Sequence, residues 1–526
     1  MKKALLSITA LATMAMCCVS CEKDQKDDAE YQERINQDYG RFATDGHRYK
    51  VQGNTATVSL PAAGDGNDYD WHFMMTSYVI PEKVEIDGKI YTVTGIGEQA
   101  FQQCSKLASV TIPQTITTIG QDAFEKCVSL RSIIIPEGVT SLDDGVFAGC
   151  TSLTSIVIPE GVTSIGDGVF GGCTSLTSIT LPNSLQKIGV YVFGDCSSLT
   201  SISIPAGVVT MGEQIFADCT SLQSVTFSCK KIPSYVFDGG RNDCPNLKEV
   251  VLNEGVEIIG ENAFRGCSKL ESISFPSSLT TIGDYAISEC KGLTSIEIPA
   301  SVTNMGESVF SGCTGLKSLK VSCKEIGKNA FAGMENLTEL ILGEGVETIG
   351  EGAFNSCSNL TSVTLSCKEI GQGVFSYMSK LTNVVLNEGV EVIGDHAFRY
   401  CSKITSINFP STLKLIEGYA FNGCSGIENI TIPDGVEEIG EGAFWDCYKM
   451  KTLTLGSGIK IIGTSAFQGC SSLTDIYCRA TDIPEIGWNP FDWEAYEKIT
   501  LHVPSASLAN YKAHEEWGQF KNIVAM

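Results

Sequence analysis

Apolar residues return along this chain with a beat of 23 residues. Phe101, Phe124, Phe147, Phe170, Phe193 and Phe216 mark it. Phe237, Phe264, Ile287, Phe310, Phe331, Phe354, Phe375, Phe398, Phe421, Phe444, Phe467 and Phe491 carry it on, which makes eighteen copies. In one copy, Leu153, Ile156 and Ile158 alternate with Ser155 and Val157, the period of two that a strand with one buried face requires. Pro159 has no N–H to give and ends that strand. Glu160-Gly161 turns the chain, Val162 to Ile165 supplies a second extended piece, and Gly166 turns it again. Asp167 to Cys173 then fits one short helical turn, its acid near the positive end and Phe170 and Cys173 on the inner side. A period of this length means a solenoid, because one copy cannot bury its apolar face alone. The expected fold is a repeat solenoid with one long parallel sheet, a second short strand and a short helical turn per coil. At about 4.8 Å per coil the body would be on the order of 80–90 Å long.

Written as Leu-x-x-Ile-x-Ile-Pro-x-x-Val-x-x-Ile-Gly-x-x-x-Phe-x-x-Cys, the pattern resembles the BspA-like, Treponema-type class of leucine-rich repeats over residues 96–478. The resemblance implies a surface-exposed bacterial protein, and some relatives act as adhesins for host or bacterial proteins. Three copies are two residues shorter, with Ser228-Cys229-Lys230, Ser322-Cys323-Lys324 and Ser366-Cys367-Lys368 in place of the Pro-Glu-Gly turn. Another copy is longer, inserting residues around 238–243. Such irregularities change the local curvature and place a loop on one edge.

The segments outside the beat read as address and caps. Residues 1–21 have the layout of a signal peptide: Lys2 and Lys3, an apolar run from Ala4 to Met16, then small residues. Val19-Ser20-Cys21 resembles the end of a bacterial lipobox, although Cys18 stands where an aliphatic residue is usual, and cleavage before a lipidated Cys21 is expected. Residues 22–40 form an acidic tether, and the stretch from Glu22 to Asp28 resembles the surface-export signal of Bacteroidetes lipoproteins. Residues 41–95 read as a β cap of short antiparallel strands around Tyr49–Val51, Thr55–Leu60 and Lys89–Val93. His47 and His72 fall there as cap or surface residues. In the C-terminal cap, residues 479–526, Trp488, Phe491, Trp493, Tyr496, Trp517, Phe520 and Ile523 are expected to seal the last coil, and Ser507 to cap a short helix.

Charge and cysteine content narrow the functions. A net charge of −24 disfavours nucleic acid and anionic membranes, so membrane attachment is expected through the lipid alone. Most of the 22 cysteines stand three after the phenylalanine position, and Met334 and Met378 fill the same slot, which a cross-link could not tolerate. A ladder of buried thiols is expected, since parallel side chains in successive coils suit the S–S dihedral poorly. No metal or cofactor site is expected, because the five histidines are scattered. The acids at Glu98, Asp167, Glu213, Glu261, Asp284, Glu307, Glu351, Asp395 and Glu441 read as repeated helix caps in preference to a calcium ladder. The string from Gly166 to Gly171 matches a dinucleotide fingerprint but is only the repeat's own turn, and no helix of the needed length follows it. No catalytic grouping is visible, so a non-enzymatic protein is expected.

The outward positions of the long strand are the candidate binding surface. Thr111, Val157, Thr180, Ser203, Thr226 and Ser274 lead to Glu297, Lys320, Thr364, Asn408, Thr431, Thr454 and Tyr477, and the last seven are the site residues proposed from sequence. Small β-formers suit an exposed parallel sheet on packing grounds alone. The same row also suits an extended docking surface on which weak contacts add along the lattice. The leading expectation is a lipid-anchored adhesion or binding protein, exposed on the outer membrane and recognising host or bacterial surface proteins. A cell-surface glycan-binding lipoprotein is the alternative.

Overall fold

The computed structural model describes residues 40–45, 47–59, 75–238 and 245–526. The signal segment with Cys21, nearly all of the tether, Leu60, His72 and residues 239–244 of the insertion lie outside the described residues. The body is the expected stack of coils. In the copy read above, Leu153, Ile156, Ile158, Val162, Ile165, Phe170 and Cys173 are all buried, while Ser155 and Val157 face water. Each fully buried aliphatic or phenylalanine side chain contributes about 1.5–3 kcal/mol.

Two strand ladders run along the stack. Ser155–Val157 pairs in parallel with Ser178–Thr180 at a spacing of one repeat, and the same register recurs through Ser201–Ile204, Ser224–Phe227 and Glu249–Leu252. It reaches Asp475–Cys478 at the far end. The short strands Ser141–Leu142, Ser164–Ile165, Lys187–Ile188 and Thr210–Met211 form the opposite ladder. In the three shorter copies, Cys229, Cys323 and Cys367 are buried at the tightened turn.

The third wall differs from expectation. The segment read as a helical turn is a run of three linked β-turns, in which the carbonyls of Gly120, Asp122 and Phe124 accept the N–H groups of Ala123, Glu125 and Cys127. The intervening N–H groups of Asp122, Phe124 and Lys126 leave the coil and donate to the carbonyls of Asp144, Val146 and Ala148 in the next one, at 2.9, 2.9 and 2.6 Å. A helix would consume these donors internally, whereas the turns give every second one to the neighbouring coil. The geometry requires a left-handed residue two before and two after the phenylalanine: Asp122 and Lys126 have φ of 54° and 58°, and Gly145 and Gly149 take 64° and 69° in the next coil. Positive φ at the third residue is the mark of a type II turn. The coils also come close enough to demand glycine after the short strand, where a Cβ on Gly189 would stand 2.6 Å from the carbonyl carbon of Gly166.

Inside, the phenylalanines stack from coil to coil. Ring centroids lie 5.1–5.8 Å apart from Phe101 to Phe237 and 5.2–5.5 Å apart from Phe310 to Phe491. Ile287 interrupts the stack, and Phe275 turns edge-on to Phe310 at 6.3 Å beside the gap. Beside the stack, the thiols of Cys127, Cys150, Cys173 and Cys196 each donate to the carbonyl of the preceding coil's phenylalanine at 3.1–3.2 Å. The cysteine slot therefore serves a hydrogen bond as well as a volume. All eighteen described cysteines are buried, and no disulfide joins any of them.

Both ends of the aromatic stack are closed. Before it come β1 (Arg41–Phe42), β2 (Arg48–Gln52), β3 (Thr55–Val58), β4 (Ser77–Val79), β5 (Lys83–Ile86) and β6 (Lys89–Ile96). The pairs β1–β2, β2–β3 and β5–β6 are antiparallel, as expected for this region. However, β3 lies parallel to β6, and β4 joins the long ladder in parallel with Ser109–Thr111. Tyr78, on β4, packs on Phe101 at 5.3 Å and on His47 at 4.5 Å. At the other end, two helices, α1 (Ala495–Lys498) and α2 (Leu508–Ala513), flank strand Thr500–Val503, which continues the long sheet in parallel and pairs with Asn522–Ala525. Phe491 meets Trp517 and Phe520 edge-on at 6.4 and 5.6 Å, and the indole N–H of Trp517 donates to the Pro484 carbonyl at 2.9 Å. Ser507 precedes α2 but does not cap it; its hydroxyl donates to the Thr481 carbonyl instead. Trp488 and Trp493, expected in the seal, stand out in solvent. Among the described residues no helix is long and apolar enough to cross a membrane.

Candidate functional site

The long ladder places one residue of each coil in a single outward column. Glu297 and Lys320 sit directly opposite on adjacent strands and form an exposed ion pair at 2.5 Å. Thr431, Thr454 and Tyr477 occupy three successive strands. Ile341 follows Lys320 in the column, and Val385 stands between Thr364 and Asn408. The structure thus brings the seven predicted residues onto one face but groups them into a charged pair, an alternating middle section and a threonine–tyrosine end.

Sequence reasoning named Val157 in this column but passed over Val79 and Ile134. Val79, Ile134 and Val157 expose 68%, 79% and 72% of their surface. Val79 is paired with Thr111, and Ile134 with Val157, so Ile134 and Val157 form an exposed apolar pair near the N-terminal end of the face, with Val79 beyond Thr111. Counting back 23 residues from Val157 reaches Ile134, so the signal was present in the period itself. At the other end His502 extends the column, its ring stacked on Tyr477 at 4.2 Å. Its Nε2 lies 3.0 Å from Asp475 Oδ1. The hydrogen bond from His502, and then that from Thr474, hold the Asp475 carboxyl below the usual carboxylate range.

The opposite wall carries an ordered charge pattern that was also missed. One residue per coil reads Lys324, Glu347, Lys368, Glu391, Lys414, Glu437 and Lys460, with the sign alternating over seven coils. Ion pairs join Lys324 to Glu347 at 3.1 Å, Lys368 and Lys414 to Glu391 at 3.8 and 2.7 Å, and Lys460 to Glu437 at 2.9 Å. Each charge has an opposite neighbour along the column, so the column itself presents little net field to a partner.

The acids expected as helix caps have a different role, because there is no helix to cap. Asp167 Oδ1 accepts the Val190 N–H of the next coil at 2.8 Å, and Asp284 Oδ1 accepts that of Glu307 at 2.8 Å. Glu261 and Glu441 accept tyrosine hydroxyls from neighbouring coils. These carboxylates tie coils together. Among the described residues no three His, Cys, Asp or Glu side chains gather as a metal site. The interior thiols are poor nucleophiles: burial pushes Cys104 and Cys173 up to about 12, so they stay protonated.

Parallel strands on two walls, inter-coil turns on the third and a conserved-register interior define a leucine-rich repeat solenoid. The BspA type leucine rich repeat region matches residues 81–173, 144–242, 230–324, 318–421 and 391–512, and the chain belongs to this family. Among solved structures it is similar to a leucine-rich repeat protein from Bacteroides ovatus ATCC 8483, at 29% identity over 84% of this chain and 98% of that one, with a TM-score of 0.49. It is also similar to a leucine rich cell surface protein from Faecalibacterium prausnitzii A2-165, at 23% identity over 83% of this chain and 94% of that one, with a TM-score of 0.28. A leucine rich repeat protein of T. pallidum matches at 29% identity over 44% of this chain and 90% of its own, with a TM-score of 0.29. No curated protein matches the sequence significantly.

Proposed function

We propose that the protein is a non-enzymatic adhesion or binding lipoprotein, held to the outer membrane through Cys21 and exposed at the cell surface, that recognises protein ligands on the long sheet face. The observation that carries this reading is the outward column itself. Ile134 and Val157, exposed on adjacent strands, stand on it with Val79 beyond Thr111, followed by a hydroxyl-rich stretch, the Glu297–Lys320 pair and the Tyr477–His502 stack. Exposed apolar patches mark interaction surfaces, and a rigid lattice lets weak contacts add without ordering the receptor at each one.

The test is capture of host matrix proteins and bacterial surface proteins by residues 22–526, with Lys320→Ala and Tyr477→Ala as one pair of variants and Val157→Asp as another. Binding by the native chain that falls in these variants supports the reading. Capture that is indifferent to all three refutes it. Metabolic labelling with a radioactive fatty acid tests the anchor, with Cys21→Ala expected to abolish incorporation.

A further inference from the structure

We infer that the turn face of the last coil holds a carbohydrate-binding site, with the Trp493 indole as the platform for a neutral hexopyranose. The site is separate from the sheet face proposed above. Trp488 and Trp493 lie three before and two after Phe491, at the two ends of its turn segment. They expose 76% and 78% of their surface although the cap is completed without them. Neither indole packs into the cap, and an exposed ring beside a cleft offers an aromatic face to a ligand.

Next to Trp493 a cleft of about 330 Å³ is lined also by Ser471, Asp492, Glu494 and Lys498. That volume suits a small ring more than a peptide segment. Glu494 pairs with Lys498 at 2.7 Å, and Asp492, which accepts the Gly469 N–H at 3.1 and 3.2 Å through its two oxygens, leaves the cleft one net negative charge. That charge disfavours an anionic ligand, while the carboxylate oxygens keep lone pairs and Ser471 keeps a hydroxyl for partners that both donate and accept. A sugar ring meets all of these terms, with an apolar C–H face for the indole and an equatorial rim of hydroxyls for the polar groups. Tyr377 and Tyr400 hold the same position relative to their own phenylalanines as Trp493 does to Phe491. They are exposed, with centroids 5.3 Å apart. The turn face therefore offers further rings to a longer glycan.

The test uses residues 22–526 with soluble neutral polysaccharides (a β-glucan, an α-mannan and a galactan), read by tryptophan fluorescence and calorimetry. At least one is expected to bind, with little change as salt is raised. Trp493→Ala is expected to weaken it roughly tenfold or more, as removal of a central aromatic anchor does, and Trp493→Phe, which keeps a ring, to weaken it less. Thr180→Ala on the sheet face should change nothing. Absence of binding to all three polymers, equal binding by Trp493→Ala, or an affinity that collapses with salt would each overturn the assignment. None of these outcomes bears on protein capture by the sheet face.

Discussion

Replacing Phe170 with alanine tests how far one coil depends on the next. The ring is fully buried and lies between Phe147 at 5.8 Å and Phe193 at 5.7 Å. Loss of a buried phenylalanine side chain costs about 3–5 kcal/mol once the cavity is included. The two stacking contacts are part of that figure, since aromatic pairs contribute about 0.5–1.5 kcal/mol each beyond burial. A repeat array need not unfold in one step, so the loss is best read locally. The amides of Phe147 and Phe170 donate to the carbonyls of Val169 and Val192, and their hydrogen exchange reports opening of this part of the stack. A loss of about 4 kcal/mol corresponds to a fall of about three decades in protection. The effect should decay along the array, because coils contact only their neighbours, so the amide of Phe444 should keep its protection. A fall of less than tenfold at Phe170, or an equal fall at Phe444, would refute the reasoning.

Other consequences can be measured separately. Glu391→Gln breaks the centre of the alternating Lys and Glu column and should lower the melting temperature slightly at low ionic strength, with the difference vanishing in high salt, where exposed charges are screened. Carboxyls held below their usual range, Glu391 by Lys414 and then Lys368, Glu428 by Lys451, and Asp434 by the Ser457 N–H, favour the folded state while they are ionised. Their contribution is complete above the unfolded values of 4.5 for Glu and 3.8 for Asp and is lost as pH falls through the lower folded values. Denaturant midpoints measured across this range should therefore fall on the acid side, and midpoints that rise there would contradict the assignment. Ile134→Asp should leave the unfolding free energy within about 0.5 kcal/mol of native, as surface changes do, while lowering capture of a protein ligand.

Much of this architecture is legible in the sequence because the solenoid repeats its own instructions. Phe101 to Phe491 give the period, and the alternation of Leu153, Ile156 and Ile158 with Ser155 and Val157 gives the buried and exposed sides of the sheet. The turn wall was harder to read. A short segment with an acid at its start and apolar residues three apart looks like a helical turn, and the left-handed positions are held by residues such as Asp122, Lys126 or Tyr191 more often than by glycine. Only comparison of the copies, where Gly145 and Gly168 take the same places, points to turns. The Lys324–Lys460 column was hidden for the opposite reason, since its members lie 21 or 23 apart and only a register that allows for the shorter copies aligns them. Trp493 was misassigned because bulk near a chain end suggests a seal, and composition does not say which of several aromatics the seal uses.

The central claim is that every coil shares one dry interior. Alkylation of the native protein followed by peptide mass spectrometry tests it along the whole length, since buried cysteines run from Cys104 to Cys478. All eighteen described thiols should stay unlabelled in the native state and all should label after unfolding without reductant. Native labelling at the phenylalanine-linked positions, or thiols that appear only after reduction, would contradict the account.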